Sequence, residues 1–290
     1  MRFTATTIIA LLSTALTLGT ARAADGPAAT KASAWVAPVA NPIFFESPAI
    51  GTEARPIFIW QNLNQDFVTQ GGDAQVYALQ LRIALTERLA IIATKDGFVD
   101  FNPAAVLPHD EGWADIAAGV KYAVVSDDQA RFVLTPGFTF KIPIGEESAF
   151  QGNGDGELDL FVSAAKAFGP VEVMGNFGVR LPMNMDEETS QLHYSLQVAY
   201  PVCRWFKPFA VCNAYTVLSE GDNLPLGSEG YDLINFGVSN AAGETMVVVG
   251  GGFRTELLKQ LDLGFAYEKG VTHSDGIFDD RFTVDAVIHF

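Results

Sequence analysis

The residues best suited to chemistry are His193 and Ser195, which lie two apart in "QLHYSLQVAY" (191–200). A histidine can activate a serine nucleophile when the two side chains come within hydrogen-bond reach. Alternate residues of a strand share one face, so these two would point the same way. Same-face neighbours on a single strand are a weak signal for a catalytic pair. The sequence therefore predicts no catalytic residues and no enzyme.

Metal and cofactor sites find equally little support. The histidines His109, His193, His273 and His289 are far apart and lack the spacing of zinc ligands. The stretch "GNGDGELD" (152–159) does not keep the order of acids and glycine of an EF-hand loop. We predict no metal site and no cofactor.

The two cysteines flank a short connection. Cys203 and Cys212 enclose "RWFKPFAV", and a disulfide could clamp this hairpin if the chain is exported to an oxidising compartment. Two buried thiols are the alternative, because the strand register decides whether the sulfur atoms can meet.

Charged residues elsewhere alternate with apolar ones, which places them on one face of extended segments. Seven are basic, seven are acidic, and His193 joins them. They could form a network of ion pairs that fills a narrow interior, or line a polar conduit that selects solutes. The predicted lumen-lining residues are Arg82, Asp115, Lys121, Arg131, Lys141, Glu157, Asp159, Glu172, Arg180, His193, Arg254, Asp262, Glu268, Arg281 and Asp285.

The segments that position these residues are strands of period two, such as the closing "RFTVDAVIHF" (281–290). Most run 9 to 13 residues, which suits a tilted crossing of a bilayer. Long and short connections alternate along the chain, as in outer-membrane barrels. The predicted fold is all-β, a transmembrane up-and-down antiparallel β-barrel of about 12 strands. The predicted strands are 55–63, 75–86, 88–96, 113–125, 131–142, 157–168, 171–182, 191–201, 207–219, 245–256, 261–271 and 281–290.

The N-terminal region divides into two parts. Residues 1–23 have a basic start, an apolar stretch and a small-x-small end at Ala21-Arg22-Ala23, and are predicted to be a secretory signal peptide. Residues 24–54 are rich in alanine and proline without a period, and are predicted to be an N-terminal extension or a lumen plug. Residues 55–290 would form the barrel, in the bacterial outer membrane.

Composition limits the partners. The net charge of −16 disfavours nucleic acid, whereas hydrophobic residues make up 49% of the chain. The expected partners are outer-membrane lipid and lipopolysaccharide, a small-molecule solute, and the barrel-insertion machinery, which reads a terminal phenylalanine such as Phe290. The acids gather in connections and are interpreted as solvated loops, with a layer of divalent cations at the lipopolysaccharide surface as the less favoured alternative.

Three stretches carry a family resemblance: "GWADIAAGVKYAVV" (112–125), "TPGFTFKIPIG" (135–145) and "GDGELDLFVSAAKAFGPVEVMGNFGVRLP" (154–182). They resemble a family of outer-membrane proteins named after the phenol meta-cleavage pathway, over about residues 112–219. The chain has Ile144 where that family usually has threonine. The resemblance implies a monomeric barrel that imports small aromatic or hydrophobic compounds.

The sequence thus predicts passive passage of small, aromatic or hydrophobic solutes through the barrel, with loop 220–244 as a gate or lid. A non-conducting structural or adhesive barrel is the alternative.

Overall fold

The computed structural model describes residues 35–272 and 276–290. The signal peptide, residues 24–34 and His273 lie outside the described residues. The regular elements of the described part are fifteen strands and a short 3₁₀ helix, Glu147–Ala149. The strands are β1 Glu53–Leu63, β2 Gly72–Ala84, β3 Leu89–Lys95, β4 Phe98–Pro103, β5 Asp110–Trp113, β6 Ile116–Tyr122, β7 Val125–Asp127, β8 Phe132–Ile142, β9 Glu157–Phe168, β10 Val171–Pro182, β11 Ser190–Ala199, β12 Lys207–Ser219, β13 Thr245–Leu258, β14 Leu261–Gly270 and β15 Phe278–His289.

The strands close into one antiparallel β-barrel. Each long strand pairs with its neighbours in chain order, and β1 pairs with both β15 and β2. Closure leaves the wall without an unpaired strand edge, which lipid could not satisfy. The predicted all-β, up-and-down architecture of twelve crossings is confirmed.

Two of the twelve crossings are interrupted. After β3, the chain continues along β2 as β4, and β5, β6 and β7 likewise follow one another along one line. Gly97 allows the first break: its φ is +112°, and a Cβ there would lie 2.3 Å from the carbonyl oxygen of Tyr77. The prediction of a loop between strands 88–96 and 113–125 was therefore wrong in extent. Both ends of that stretch belong to strands, and only residues 104–109 connect β4 to β5.

Other boundaries follow the alternating pattern closely. Strands β9, β10 and β12 begin and end where predicted, whereas β2 and β15 begin three residues earlier than predicted. Those extra residues lie at strand ends, where polar side chains break the alternation before the hydrogen-bond ladder ends.

The outer face is apolar. Leu196 and Val198 on β11, and Phe282 and Val284 on β15, are exposed, while the residues between them are buried inside. Aromatic side chains exposed near strand ends include Trp113, Phe168, Tyr200 and Trp205, as in the interfacial girdles of membrane barrels. An apolar belt on a closed barrel is the structure of a protein that crosses a membrane on strands.

The connections sort by length to opposite rims. The short turns, such as 169–170 and 259–260, share one rim with the start of β1 and the end of β15. The long connections, of which 220–244 is the longest, lie at the other rim. We call these the short-turn rim and the long-loop rim. No helix among the described residues has the length and apolar character needed to cross a membrane.

Candidate functional site

The inner face of the barrel carries nearly all the predicted lumen residues. Fourteen of the fifteen are buried, from 0% exposed at Arg281 to 7% at Asp159 and Glu172. Arg131 differs. It precedes β8 with a φ of +44°, its side chain is 46% exposed, and it pairs with Glu172 at the short-turn rim. The period of two broke there because the turn, rather than the strand, sets the direction of this side chain.

Residues 35–52, the N-terminal segment, lie inside the ring of strands. The segment enters near the short-turn rim, where Trp35 lies beneath the guanidinium of Arg131. It rises to Phe44, which stacks on His193 at 4.5 Å between ring centroids, and returns to the same rim before β1. Most of its residues are buried.

Glu46 is the main ionic anchor of the N-terminal segment. Its carboxylate accepts hydrogen bonds from Arg82 at 2.6 and 3.0 Å and from Lys121 at 2.6 Å. Burial raises the pKa of Glu46, but the two cations more than offset that effect and lower the pKa to about 2. Glu46 therefore stays ionised and pairs with two wall cations at once.

Wall side chains also bind the backbone of the N-terminal segment. Gln197 donates to the carbonyl of Val36 at 2.8 Å, and Thr135 donates to that of Pro48 at 2.7 Å. Arg55 reaches the carbonyl of Pro38 at 2.9 Å while pairing with Asp285. The segment has no hydrogen-bonded strand of its own, so the wall supplies the partners that its buried backbone requires.

Residues 228–238, the inserted loop, fill the lumen from the long-loop rim. They are all buried, and Tyr231, Ile234 and Phe236 join an apolar cluster with the inner faces of the surrounding strands. Here the inner wall is apolar too, as at Ile57 and Ile59 of β1. The half of the barrel next to the long-loop rim therefore has a packed hydrophobic core.

One ion pair and one carboxylate hold the inserted loop. Asp232 accepts two hydrogen bonds from Arg281, at 2.6 and 2.8 Å. Burial raises the pKa of Asp232, but the Arg281 guanidinium outweighs it, and the pKa lies below its usual value. Glu229 accepts the backbone N–H groups of Phe236 and Val238 at 2.5 and 3.2 Å, which closes the loop on itself.

A belt of charges lies between the N-terminal segment and the inserted loop, which we call the two insertions. Lys141 pairs with Glu188 at 2.7 Å, and Arg180 lies 3.2 Å from Glu157. Arg180 also donates to the carbonyl of Tyr231 at 2.8 Å and lies over the ring of Phe44. It thus touches both the inserted loop and the N-terminal segment.

Little open space remains between the insertions. An apolar cavity of about 30 Å³ is lined by Ile43 of the N-terminal segment and by Leu233 and Ile234 of the inserted loop. A polar cavity of about 20 Å³ adjoins it. The first has room for about two or three waters and the second for about one or two, so the described residues occupy most of the lumen at mid-height.

The possible catalytic pair is used for structure. His193 hydrogen-bonds Asp159 at 2.7 Å and stacks on Phe44, while the hydroxyl of Ser195 accepts the side-chain amide of Asn41 at 3.2 Å. Each side chain has its own partner in the lumen. In residues 35–272 and 276–290, no group of three His, Cys, Asp or Glu side chains is arranged to hold a metal.

The suggested disulfide is not formed. Cys203 and Cys212 are both exposed free thiols, so the alternative of two buried thiols was wrong as well. Cys203 lies in the turn before β12, whereas Cys212 lies five residues into β12, which begins at Lys207. Five residues of strand span roughly 16 Å, so the two cysteines are too far apart for a disulfide.

Several buried charged side chains of the lumen were not predicted from the sequence. Glu46 lies in a segment without a period, and Glu188, Glu229 and Asp232 lie in connections interpreted as solvated loops, yet all four are at most 3% exposed. Arg55, the third residue of β1, shares the inner face with Ile57 and Ile59, and its alternation with them was a usable signal. The loop acids offered none, because only the folded barrel brings cations to them.

No family model and no curated protein matches the chain. Solved structures do. The chain is similar to an outer-membrane channel from Pseudomonas putida F1, with 14% identity and a TM-score of 0.60 over 85% of this chain and 98% of that one. It is also similar to the NanC porin, with 10% identity and a TM-score of 0.52 over 83% of this chain and 100% of that one. At these identities the likeness shows the fold, which is that of bacterial outer-membrane barrels.

Proposed function

We propose that the protein is a gated outer-membrane channel for the passive passage of small apolar solutes, aromatic compounds among them, and not an enzyme. The observation that carries the proposal is the way the lumen is filled. Two connecting segments, rather than wall strands, occupy it, and the space where they meet is lined by Ile43, Leu233 and Ile234. Withdrawal of both segments would open a path without breaking the wall.

The barrel fold shared with a channel and a porin supports this role. The resemblance of residues 112–219 to the outer-membrane family named after the phenol meta-cleavage pathway supports an aromatic or hydrophobic solute. The two insertions take the roles of a plug at the short-turn rim and a gate at the long-loop rim.

A non-conducting structural barrel is the second candidate. It is favoured by the matched ion pairs, such as Asp285 with Arg55 and Arg254. Loss of one partner of a buried ion pair strongly destabilises a folded protein. A lumen held closed by such pairs would therefore open rarely.

Single-channel recording on the refolded chain separates the two candidates. We would compare the wild type with a variant lacking residues 35–50 and with a variant in which Ser228–Val238 is replaced by a short glycine–serine linker. Heat-modifiable migration in gels would confirm that each barrel is folded. A control replaces loop 104–109, which is exposed or half-buried, in the same way.

A gated channel predicts brief openings of the wild type and longer, larger openings of one or both shortened variants, with the control unchanged. Uptake of labelled aromatic solutes into liposomes should rise in parallel. A folded barrel that stays silent when both deletions are combined in one chain would overturn the channel and leave the structural role.

A further inference from the structure

The two cavities between the insertions adjoin each other. Both are lined by Ile43, Thr94 and Lys95. On one side the wall is apolar, with Ile57, Val76 and Leu233 among its residues. On the other side the lining carries both signs, with Lys95, Lys141 and Arg180 beside Glu157, Asp159 and Asp232. The combined space has an apolar end and a charged end.

The charged end has hydrogen-bond donors without partners. Among the described residues, Nη2 of Arg180 has no hydrogen-bond partner, although Arg180 is only 3% exposed. The ammonium of Lys95 makes one long hydrogen bond, 3.4 Å to the carbonyl of Leu233, and lies 3.7 Å from Asp115. Buried donors of charged groups are costly to leave unpaired.

The acids around this space have other partners. Asp159 binds His193 and Asp232 binds Arg281. Glu157 lies 3.2 Å from Nε of Arg180 rather than using its Nη2. Asp115 accepts the backbone N–H groups of Gly145 and Gly152, at 3.1 and 2.8 Å. A ligand that brings an acceptor would therefore meet unused donors.

We infer that the space binds a small organic acid, with its carboxylate between Lys95 and Arg180 and its apolar part against Ile43, Ile57 and Leu233. A carboxylate suits these donors because charge-assisted hydrogen bonds are the strong ones. This inference goes beyond the proposed function by adding a charged solute class to the apolar ones, and it rests on that function for the route by which the acid reaches the lumen.

The size of the space sets the size of the acid. Cavities of about 30 and 20 Å³ hold roughly three to five water-sized groups. Propionate has five non-hydrogen atoms and fits with small shifts of the lining side chains. A benzoate ring requires more room, which Ile43→Ala would provide at the apolar end.

Equilibrium dialysis of labelled propionate against the full refolded chain in detergent tests the inference, because it does not depend on how slowly the acid enters. Propionamide has the same shape without the charge. Lys95→Gln removes one donor group, and Lys269→Gln, at an exposed lysine of β14, is the matched control. Gel migration checks that each variant is folded.

We expect saturable binding of propionate, at least tenfold weaker binding of propionamide, and a loss of tenfold or more in Lys95→Gln but not in Lys269→Gln. Ile43→Ala should raise benzoate binding relative to propionate. No saturable propionate binding, or equal binding of acid and amide, would overturn the site. The comparison of acid and amide uses the wild type, so it holds even if Lys95→Gln fails to fold.

The acid-binding site and the channel can be disproved independently of each other. Propionate binding to a barrel that never conducts would leave the site standing and remove the channel. Conduction without propionate binding would leave the channel standing and remove the site.

Discussion

At the scale of single residues, Glu46 links the N-terminal segment to the wall on two sides. Its carboxylate bridges Arg82 of β2 and Lys121 of β6, and its carbonyl accepts the hydroxyl of Ser163 of β9. One residue of a segment without secondary structure thus contacts three strands.

Glu46→Gln should therefore loosen the N-terminal segment while the barrel stays closed. Removing one member of a buried ion pair typically costs about 3 to 5 kcal/mol, and glutamine keeps part of the hydrogen bonding. We expect amide hydrogen exchange of residues 36–50 to rise by at least roughly tenfold, as measured by mass spectrometry. Glu87→Gln, at an exposed turn, is the control, and equal exchange in the two variants would contradict the role of Glu46.

Acid should release the N-terminal segment in a defined window. The pKa of Glu46 falls from 4.5 to about 2, so its contribution of about 3 kcal/mol is fully present above pH 4.5 and is lost as the pH falls towards 2. Exchange of residues 36–50, corrected for its intrinsic pH dependence, should be constant from pH 8 to 5 and rise below 4.5. A rise between pH 7 and 5 would contradict the assignment to Glu46.

At the scale of elements, the two insertions meet in the middle of the lumen. Phe44 packs against Tyr215, which packs against Tyr231 of the inserted loop, at 6.4 and 5.9 Å between ring centroids. Arg180 contacts both insertions as well. Each insertion thus forms part of the surface on which the other packs.

Phe44→Ala should therefore loosen the inserted loop, although Phe44 belongs to the other insertion. Contacting residues show interaction energies of about 0.5 to 3 kcal/mol. We expect faster hydrogen exchange of residues 228–238 in Phe44→Ala, and non-additive effects when it is combined with Asp232→Asn. Phe45→Ala is the matched control, because Phe45 packs in the separate cluster nearer the short-turn rim. Equal effects of the two alanine variants would exclude the coupling.

Elements differ in how far their sequence reveals them. The wall could be predicted because lipid outside and charge inside impose a period of two on every crossing, as in β11. The break at Gly97 and the continuation as β4 depend on the approach of the Tyr77 carbonyl, which leaves no periodic trace. The insertions were harder still, since their partners lie on strands far along the chain, 75 residues away for Glu46 with Lys121 and 227 for Asn41 with Glu268.

The same limit applied to the candidate site. The alternation placed fourteen charged or histidine side chains on one face of their strands, where the structure has them buried, but it could not tell whether they met water or protein. Asp285 and Arg254 bind each other, and Arg254 also binds the backbone of residues 37 and 38. Only the folded chain brings those carbonyls to it.

At the scale of the whole molecule, closure of the ring joins the first strand to the last. β15 pairs with β1, and the backbone N–H of Phe290 donates to the carbonyl of Thr52 at 3.1 Å. The side chain of Phe290 is 52% exposed, so it contributes little packing to the finished barrel.

Deleting Phe290 should impair assembly in cells more than stability in vitro. If the insertion machinery reads the terminal phenylalanine, the amount of heat-modifiable barrel in the outer membrane should fall several-fold, while refolding into detergent stays as in the wild type. Phe168→Ala, at another exposed phenylalanine of the same rim, is the control. An equal loss in both assays would show that Phe290 acts through stability alone.

The course of the N-terminal segment has a mechanical consequence. It enters and leaves the lumen at one rim, so a pull on the chain at residue 35 would load its contacts one after another. The bond from Gln197 to Val36 would yield first, and the bonds of Glu46 would yield later. Peeling of this kind requires far less force than shearing all the bonds at once, so a weak tether at the short-turn rim would be enough to withdraw the N-terminal segment.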